Sequence, residues 1–366
     1  MSACLANGQG SILIDGHADV RFNYESASST WGAEIVYGSF ENPENFAAFD
    51  QVAFPLEDIP YTSGGPRYSI PNSGFEFLGG SAGSPVWIAP QSDGGFAWPG
   101  FRNEQELGAI ASYTPSDSRV SSQGSQSWIK MTLVEVDYSG EGEDPQVSLW
   151  QNSTTSGTVV WAATSDGLDS TDAYYQLANG HSHLNWGFTE KGIYRLGMQA
   201  SAYAGEGMTD PTQSEVEGVI FAVGTYAIWK ATYFSGGDLF NEAVTGATAD
   251  ANQDGVPLLL EYAFNLSPLA STVASLEPGV GVSGLPALTL NNDAQLQIEY
   301  VRRKDSGTSE ITYEAQFASG LSAVDWQTAT EETVTSIDDD WERVVVIDPT
   351  EGALSRFGRV LVVLGE

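Results

Sequence analysis

The sequence predicts an all-β protein with a large N-terminal β-sandwich or jelly roll, a short helical connector and a small C-terminal β-sandwich. Three observations predict it. Glycine is abundant, at 40 of 366 residues. Short aromatic and β-branched runs recur at regular spacing between Gly, Pro, Asn and Ser turns. No long amphipathic helix interrupts them over residues 10–224.

The first strands fall in residues 11–37. From His17 onward the sequence alternates: Val20, Phe22 and Tyr24 share one face, and His17, Asp19, Arg21 and Asn23 share the other. Residues 31–37 form the next strand. Residues 40–100 are loop-rich, because Pro43, Pro55, Pro60, Pro66, Pro71, Pro85, Pro90 and Pro99 break any long element. Residues 75–78 and 86–88 are expected as short strands between these breaks, and residues 94–101 as an aromatic packed loop. Strands follow at 126–136, 146–150, 158–161, 173–177, 192–200 and 219–223. About ten strands of this kind suit one large sandwich or jelly roll over 10–224.

Residues 225–275 differ in character. Short helices are expected at 226–234, 238–243 and 258–264. After a Gly-rich linker at 278–284, strands return over 284–366, enough for a small sandwich of the fibronectin or immunoglobulin kind. Trp87, Trp98, Trp150, Trp161 and Trp186 are expected to pack the cores.

Two patterns carry chemistry. The chain has three histidines. His181 and His183 lie in Gly180-His181-Ser182-His183-Leu184-Asn185-Trp186, and His17 lies in Gly16-His17-Ala18-Asp19-Val20. On a strand, positions i and i+2 point to one face. Each segment therefore presents a pair of side chains: two imidazoles, or an imidazole and a carboxylate. Two such strands brought together make a nitrogen and oxygen ligand set from His17, Asp19, His181 and His183. Asp19 acts either as fourth ligand or as a carboxylate orienting a histidine. Zn²⁺ is the first choice of ion, with Cu, Mn and Fe as alternatives, since ligand type alone does not settle the metal.

The second pattern is Asp250-Ala251-Asn252-Gln253-Asp254-Gly255-Val256, followed by Glu261. It fits D-x-[DN]-x-[DN]-G-x5-E without a mismatch. Side-chain oxygens of Asp250, Asn252 and Asp254 would converge on one Ca²⁺. Gly255 allows the sharp turn, Val256 gives a backbone carbonyl and Glu261 chelates with two oxygens.

Lys and Arg total 14 against 48 Asp and Glu, a net charge of −34. That field repels phosphate backbones and anionic lipid, so nucleic acid and membrane surfaces are not expected partners. It favours solubility and attracts cations. The one cysteine, Cys4, allows no intrachain disulfide and no Cys-based zinc cluster. No stretch approaches the ~20 apolar residues of a membrane span. The first eight residues show no signal-peptide pattern, and the sequence reads as a mature form with an added Met.

Two resemblances add to this reading. Gly16-His17-Ala18-Asp19-Val20, the run from Val147-Ser148-Leu149-Trp150 to Ser165-Asp166-Gly167-Leu168, and the segment from His181 to Thr189 with Gly192-Ile193-Tyr194-Arg195-Leu196 resemble the bacterial surface-anchored domain called choice-of-anchor M. The likeness covers roughly residues 10–224. It implies an extracellular or cell-surface location and, because actinobacterial relatives occur with metal-type ABC transporters, a metal-handling role. Residues 229–366 resemble a module near the C-termini of exported proteins of Verrucomicrobia and Planctomycetes. That module joins a dockerin-like or thrombospondin-type-3-like calcium loop to a β-domain. One loop is present where dockerins have a pair, so cohesin docking is not implied.

The expectation is thus a bacterial surface protein that binds a transition metal and a structural calcium. Its partners would be metal ions, and cell-surface polysaccharide or other surface proteins. The alternative is a carbohydrate-binding or adhesive module with structural histidines, in which Trp98 and Phe101 form an exposed sugar platform. A metal-dependent hydrolase or oxidase ranks third. Hydrolytic zinc needs a general base beside its water, and the local acids, Asp19 and Glu190, sit in no recognised catalytic motif. No G-x-S-x-G, H-E-x-x-H or Walker pattern occurs, and Asp166 and Asp169 read as turn residues. No catalytic residue is assigned.

Overall fold

The computed structural model describes residues 10–38, 45–204, 209–271, 273–304, 310–322, 326–350 and 356–365. Cys4, Pro43 and the N-terminal segment read for a signal lie outside them. The chain divides into two compact units, Met1–Phe240 and Asn241–Glu366. The structure is mostly β, in several sheets with no barrel, as the all-β sandwich expectation requires.

Three sheets build the first unit. A seven-stranded sheet runs in the order Ile12–Leu13, Val52–Leu56, Glu217–Val223, Gly192–Ala202, Trp128–Ser139, Ala173–Leu177, with Thr212–Gln213 beside Gly192–Ala202. A five-stranded sheet runs Gly157–Ala163, Val147–Ser153, Asn185–Phe188, Pro85–Ala89, Arg67–Ser69. The third, also five-stranded, runs His181–His183, Trp98–Arg102, His17–Glu25, Thr30–Tyr37, Asn45–Ala47. Their inner faces meet through an aromatic chain. Phe101 of the third sheet lies 5.4 Å from Trp186 of the second, which lies 5.5 Å from Phe221 of the first. All three are fully buried. At about 1.5–3 kcal/mol for burying a large apolar side chain, such residues dominate the stabilisation of this core.

Two readings between residues 75 and 101 need correction. Residues 75–78 do not form a strand. Glu76–Leu78 is a 3₁₀ turn, bracketed by Gly74 and Gly79 at φ of 83° and 79°, which curl the chain at both ends. Residues 94–101 are not simply a packed loop. Trp98–Arg102 is a strand inside the third sheet, parallel to His17–Glu25 and antiparallel to His181–His183.

The chain changes sheets at Leu184, which is fully buried. His181–His183 belongs to the third sheet and Asn185–Phe188 to the second. A helix, Thr225–Tyr233, follows Gly224 at φ 89°. The short helix expected at 238–243 is divided into a 3₁₀ turn, Gly236–Phe240, and a helix, Glu242–Thr245. The break falls at Asn241, whose side chain caps the second piece by accepting from the Ala243 amide.

The second unit holds the helix Leu258–Ala263 and two sheets. One runs Ala287–Leu290, Leu296–Arg303, Trp341–Ile347, Thr333–Ser336, and the other Gln327–Thr328, Ile311–Ala318, Phe357–Leu364. Ile298, Tyr300, Val344 and Val346 are buried in its core. Residues 278–284 are tied into this unit: the Gly281 amide donates to the Glu277 carbonyl and the Gly284 amide to that of Phe264. Among the described residues no helix is long and apolar enough to cross a membrane.

Candidate metal centre

The site grows out of the third sheet. On the strand His17–Glu25, Ala18, Val20, Phe22 and Tyr24 face the core, so His17 and Asp19 face outward by the two-residue period. His181–His183 presents both imidazoles on that same outer face. The two strands are not neighbours, because Trp98–Arg102 lies between them. With strands about 4.8 Å apart, the ligand-bearing strands stand two spacings from one another.

Gly100 closes that gap. It pairs with Asp19 on one side and with His183 on the other. A Cβ at Gly100 would lie 2.7 Å from His183 Nδ1 and 2.7 Å from the Ser182 carbonyl oxygen. With hydrogen there instead, the His183 ring leans across the middle strand toward Asp19. Trp98, one step away, walls the site: its ring lies 4.8 Å from His17 and 4.5 Å from His183. Trp186 secures the middle strand from beneath, donating from Nε1 to the Pro99 carbonyl at 2.9 Å.

The four side chains converge although 162 residues separate Asp19 from His181. One ligand atom from each of His17, Asp19, His181 and His183 lies within 4.8 Å of the others, an arrangement that could hold a metal ion. His181 Nε2 is 2.9 Å from Asp19 Oδ1 and 3.0 Å from His183 Nε2. His17 Nε2 is 3.7 Å from Asp19 Oδ2. Metal–nitrogen bonds of about 2.0–2.1 Å at tetrahedral angles would separate ligand atoms by roughly 3.3 Å. The observed spacings bracket that value.

The proton arithmetic points the same way. His183 Nδ1 lies 3.0 Å from the Trp98 carbonyl oxygen, so it must carry hydrogen and donate. Burial pushes the His183 pKa down to about 4; Asp19 opposes this, and His181 and His17 add to it. His183 is therefore neutral near pH 7 and Nε2 is a bare lone pair. His181 has one Nε2 hydrogen at most, yet Nε2 faces both that lone pair and the Asp19 carboxylate. It can satisfy one and not the other. Burial likewise lowers the His17 pKa, opposed by Asp19 and assisted by His181 and Arg102. Asp19 is fully buried and its Oδ2 accepts no hydrogen bond among the described residues. A buried acceptor left so costs about 1–3 kcal/mol or more. A cation at the centre satisfies every one of these atoms.

The 250–261 segment is built differently. Asp250 accepts from the Asp254 amide through Oδ1 and the Gly255 amide through Oδ2. Asn252 Oδ1 also accepts from the Asp254 amide, and Asp254 Oδ1 from that of Val256. Gly255 takes φ 92°, as the turn requires. Glu261, on the helix Leu258–Ala263, is buried. Its Oε1 accepts from Asn252 Nδ2 at 2.7 Å, while Oε2 has no partner among the described residues. Burial, with the charges of Asp254 and Asp250, pushes its pKa up to about 7 against the hydrogen bond from Asn252. Among the described residues, Asp250, Asp254 and Glu261 do not draw together as closely as the His17 group does.

The sequence reading named Trp98 in another role and did not place it at the histidines, and it did not name Gly100 or Gly38, the latter's backbone accepting from the His17 ring. Alternation of Trp98, Gly100 and Arg102 with Pro99 and the buried Phe101 was the available signal, hidden by the Pro-Gly pair. The expected sugar platform is not what these residues form. Phe101 is fully buried, and the Trp98 ring packs against two histidines. Asn185 binds Gln91 and the Trp150 carbonyl in the second sheet and does not touch the cluster. Trp87, Trp150, Trp161 and Trp186 are core residues as expected.

No protein-family model matches the chain, and no curated protein matches it.

Proposed function

We propose that this is an extracellular or cell-surface bacterial protein that binds one transition-metal ion, Zn²⁺ for preference, through His17, Asp19, His181 and His183. One observation carries the reading: three imidazoles and a buried carboxylate converge, and a single ring hydrogen cannot serve both of its acceptors. Neutral imidazole with one carboxylate suits zinc, with Cu, Mn and Fe as competitors. The surface location rests on the acidic composition and on the resemblance to choice-of-anchor M. Elemental analysis of the purified chain should find about one transition-metal ion per molecule, lost in His181→Ala with the fold retained by circular dichroism. No metal above background in the wild type would falsify the reading.

The same proposal includes a structural Ca²⁺ in the 250–261 loop, held by Asp250, Asn252, Asp254, the Val256 carbonyl and Glu261. The buried Oε2 of Glu261, without a partner among the described residues, supports it, since a divalent ion would supply the charge that this carboxylate lacks. A calcium-selective chelator should lower the melting temperature of the wild type and leave that of Asp254→Ala unmoved. Equal shifts in both proteins would remove the calcium assignment.

A further inference from the structure

The metal cluster is not equally covered on all sides. The side chains of His17, His183 and Asp19 are 13%, 9% and 1% exposed, whereas that of His181 is 32% exposed. Solvent therefore reaches a bound ion from the His181 side. The residue paired with His181 across the strands is Arg102. Directly paired residues on antiparallel strands share a face, with Cβ atoms about 5 Å apart. Arg102 thus stands on the open side of the cluster, and its charge is felt at His17, whose pKa it helps to lower. Arg21 is paired with Arg102 on the next strand. Two guanidinium groups so placed are unusual in a chain with 14 basic residues and a net charge of −34.

Arg21 is bound to Glu34 through Nε at 3.0 Å and through Nη2, and both guanidinium groups reach Glu104. Arg102 Nη2 donates to Glu104 Oε1 at 2.7 Å, and Arg21 Nη1 to Glu104 Oε2 at 3.4 Å. Glu104 is 51% exposed. An exposed pair of this kind is worth about 0–1 kcal/mol, so an incoming anion can displace it at little cost. Guanidinium is the side chain best suited to bind an oxyanion through paired donors.

We infer that the bound metal and Arg102 together form a receptor for a small oxyanion, carboxylate or phosphate, with one oxygen on the metal and another on the guanidinium. This rests on the metal reading above. A bound ion would offer a further coordination position on its solvent side, and the middle strand carries Arg102 in register with His181.

The test uses the full chain loaded with Co²⁺, whose visible absorption reports coordination. Acetate and inorganic phosphate are titrated separately at constant ionic strength, with chloride as control. At least one should give a saturable loss of intensity as the coordination number rises, and which one responds names the anion class. Arg102→Gln should keep stoichiometric cobalt and weaken that anion at least tenfold. Glu104→Gln, which removes the Arg102–Glu104 ion pair, should strengthen it several-fold. Equal affinity in wild type and Arg102→Gln, or no spectral response in a cobalt-loaded wild type, overturns the receptor and leaves the metal reading intact. Failure of the wild type to bind cobalt at all sinks both.

Discussion

Gly100 is the residue on which the metal cluster depends most without contributing a ligand. Its backbone is extended, so its value is not conformational freedom but missing volume. The strands bearing His17 and His183 are separated by a whole strand, and imidazole rings reach across only where that strand has no side chain. In Gly100→Ala the new methyl meets His183 Nδ1 and the Ser182 carbonyl at 2.7 Å. Overpacking of this kind costs about 1–3 kcal/mol, and here relief requires moving His183. Gly100→Ala should therefore lose transition-metal affinity by at least about tenfold, on the scale of 1.4 kcal/mol per factor of ten, while staying folded. Competition for the ion with a chromophoric chelator measures this; unchanged affinity would show that the rings do not need the gap. His17, Asp19, His181 and His183 were legible because a two-residue period is written directly in the sequence. Gly100 was not, because absence of a side chain matters only once the neighbouring strands are known.

At the level of elements, what could be read from the sequence depended on how local the cause was. The alternation from His17 to Tyr24 names both faces of its strand, and the structure has Val20, Phe22 and Tyr24 inside. The helix Leu258–Ala263 follows from Pro257 and an apolar run. Trp98–Arg102 defeated the same reasoning. Pro99 and Gly100 are turn residues by propensity, yet the strand is held by tertiary means: ladder bonds on both edges and the Trp186 indole on the Pro99 carbonyl. That indole comes from the second sheet, immediately after the chain leaves the third at Leu184. The segment 181–186 therefore has two tasks divided by one buried leucine: His181 and His183 form the outer site, and Trp186 anchors from inside the strand they cross. Residues 75–78 failed in the opposite sense. Their aromatic content suggested a strand, but flanking glycines in the left-handed region decided the shape.

Across the whole molecule, charge sets how stability should respond to acid. At neutral pH the chain carries −34, and self-repulsion opposes compactness. Three carboxyls add to that effect. Burial raises the pKa of Glu190, with Asp144 contributing; burial also raises that of Glu217, with Asp50 and Glu215; Glu261 is pushed up to about 7. A carboxyl whose folded pKa is raised binds its proton more tightly in the native state. Its contribution is most favourable below the ordinary carboxylate range and is lost as pH rises through the folded value. Asp348 and Asp117 behave oppositely. Burial opposes their ionisation, but Arg356 and Arg119 outweigh it and hold both below the usual value. Their contribution is present above about pH 4 and disappears as pH falls through their depressed values. Chelator-treated protein should therefore be most stable between about pH 4.5 and 6, below neutrality, and should lose stability on both sides. Melting temperatures across pH 3 to 8 at a constant ionic strength of about 0.1 M test this. In Asp348→Asn the fall below about pH 4 should be shallower than in the wild type, because one of the groups that produces it is gone. A maximum at or above neutral pH would mean that neither the net charge nor the three raised carboxyls weighs on the folded state. Stoichiometric metal or calcium should shift the neutral limb upward and leave the acid limb alone, since protons displace both ions from their ligands.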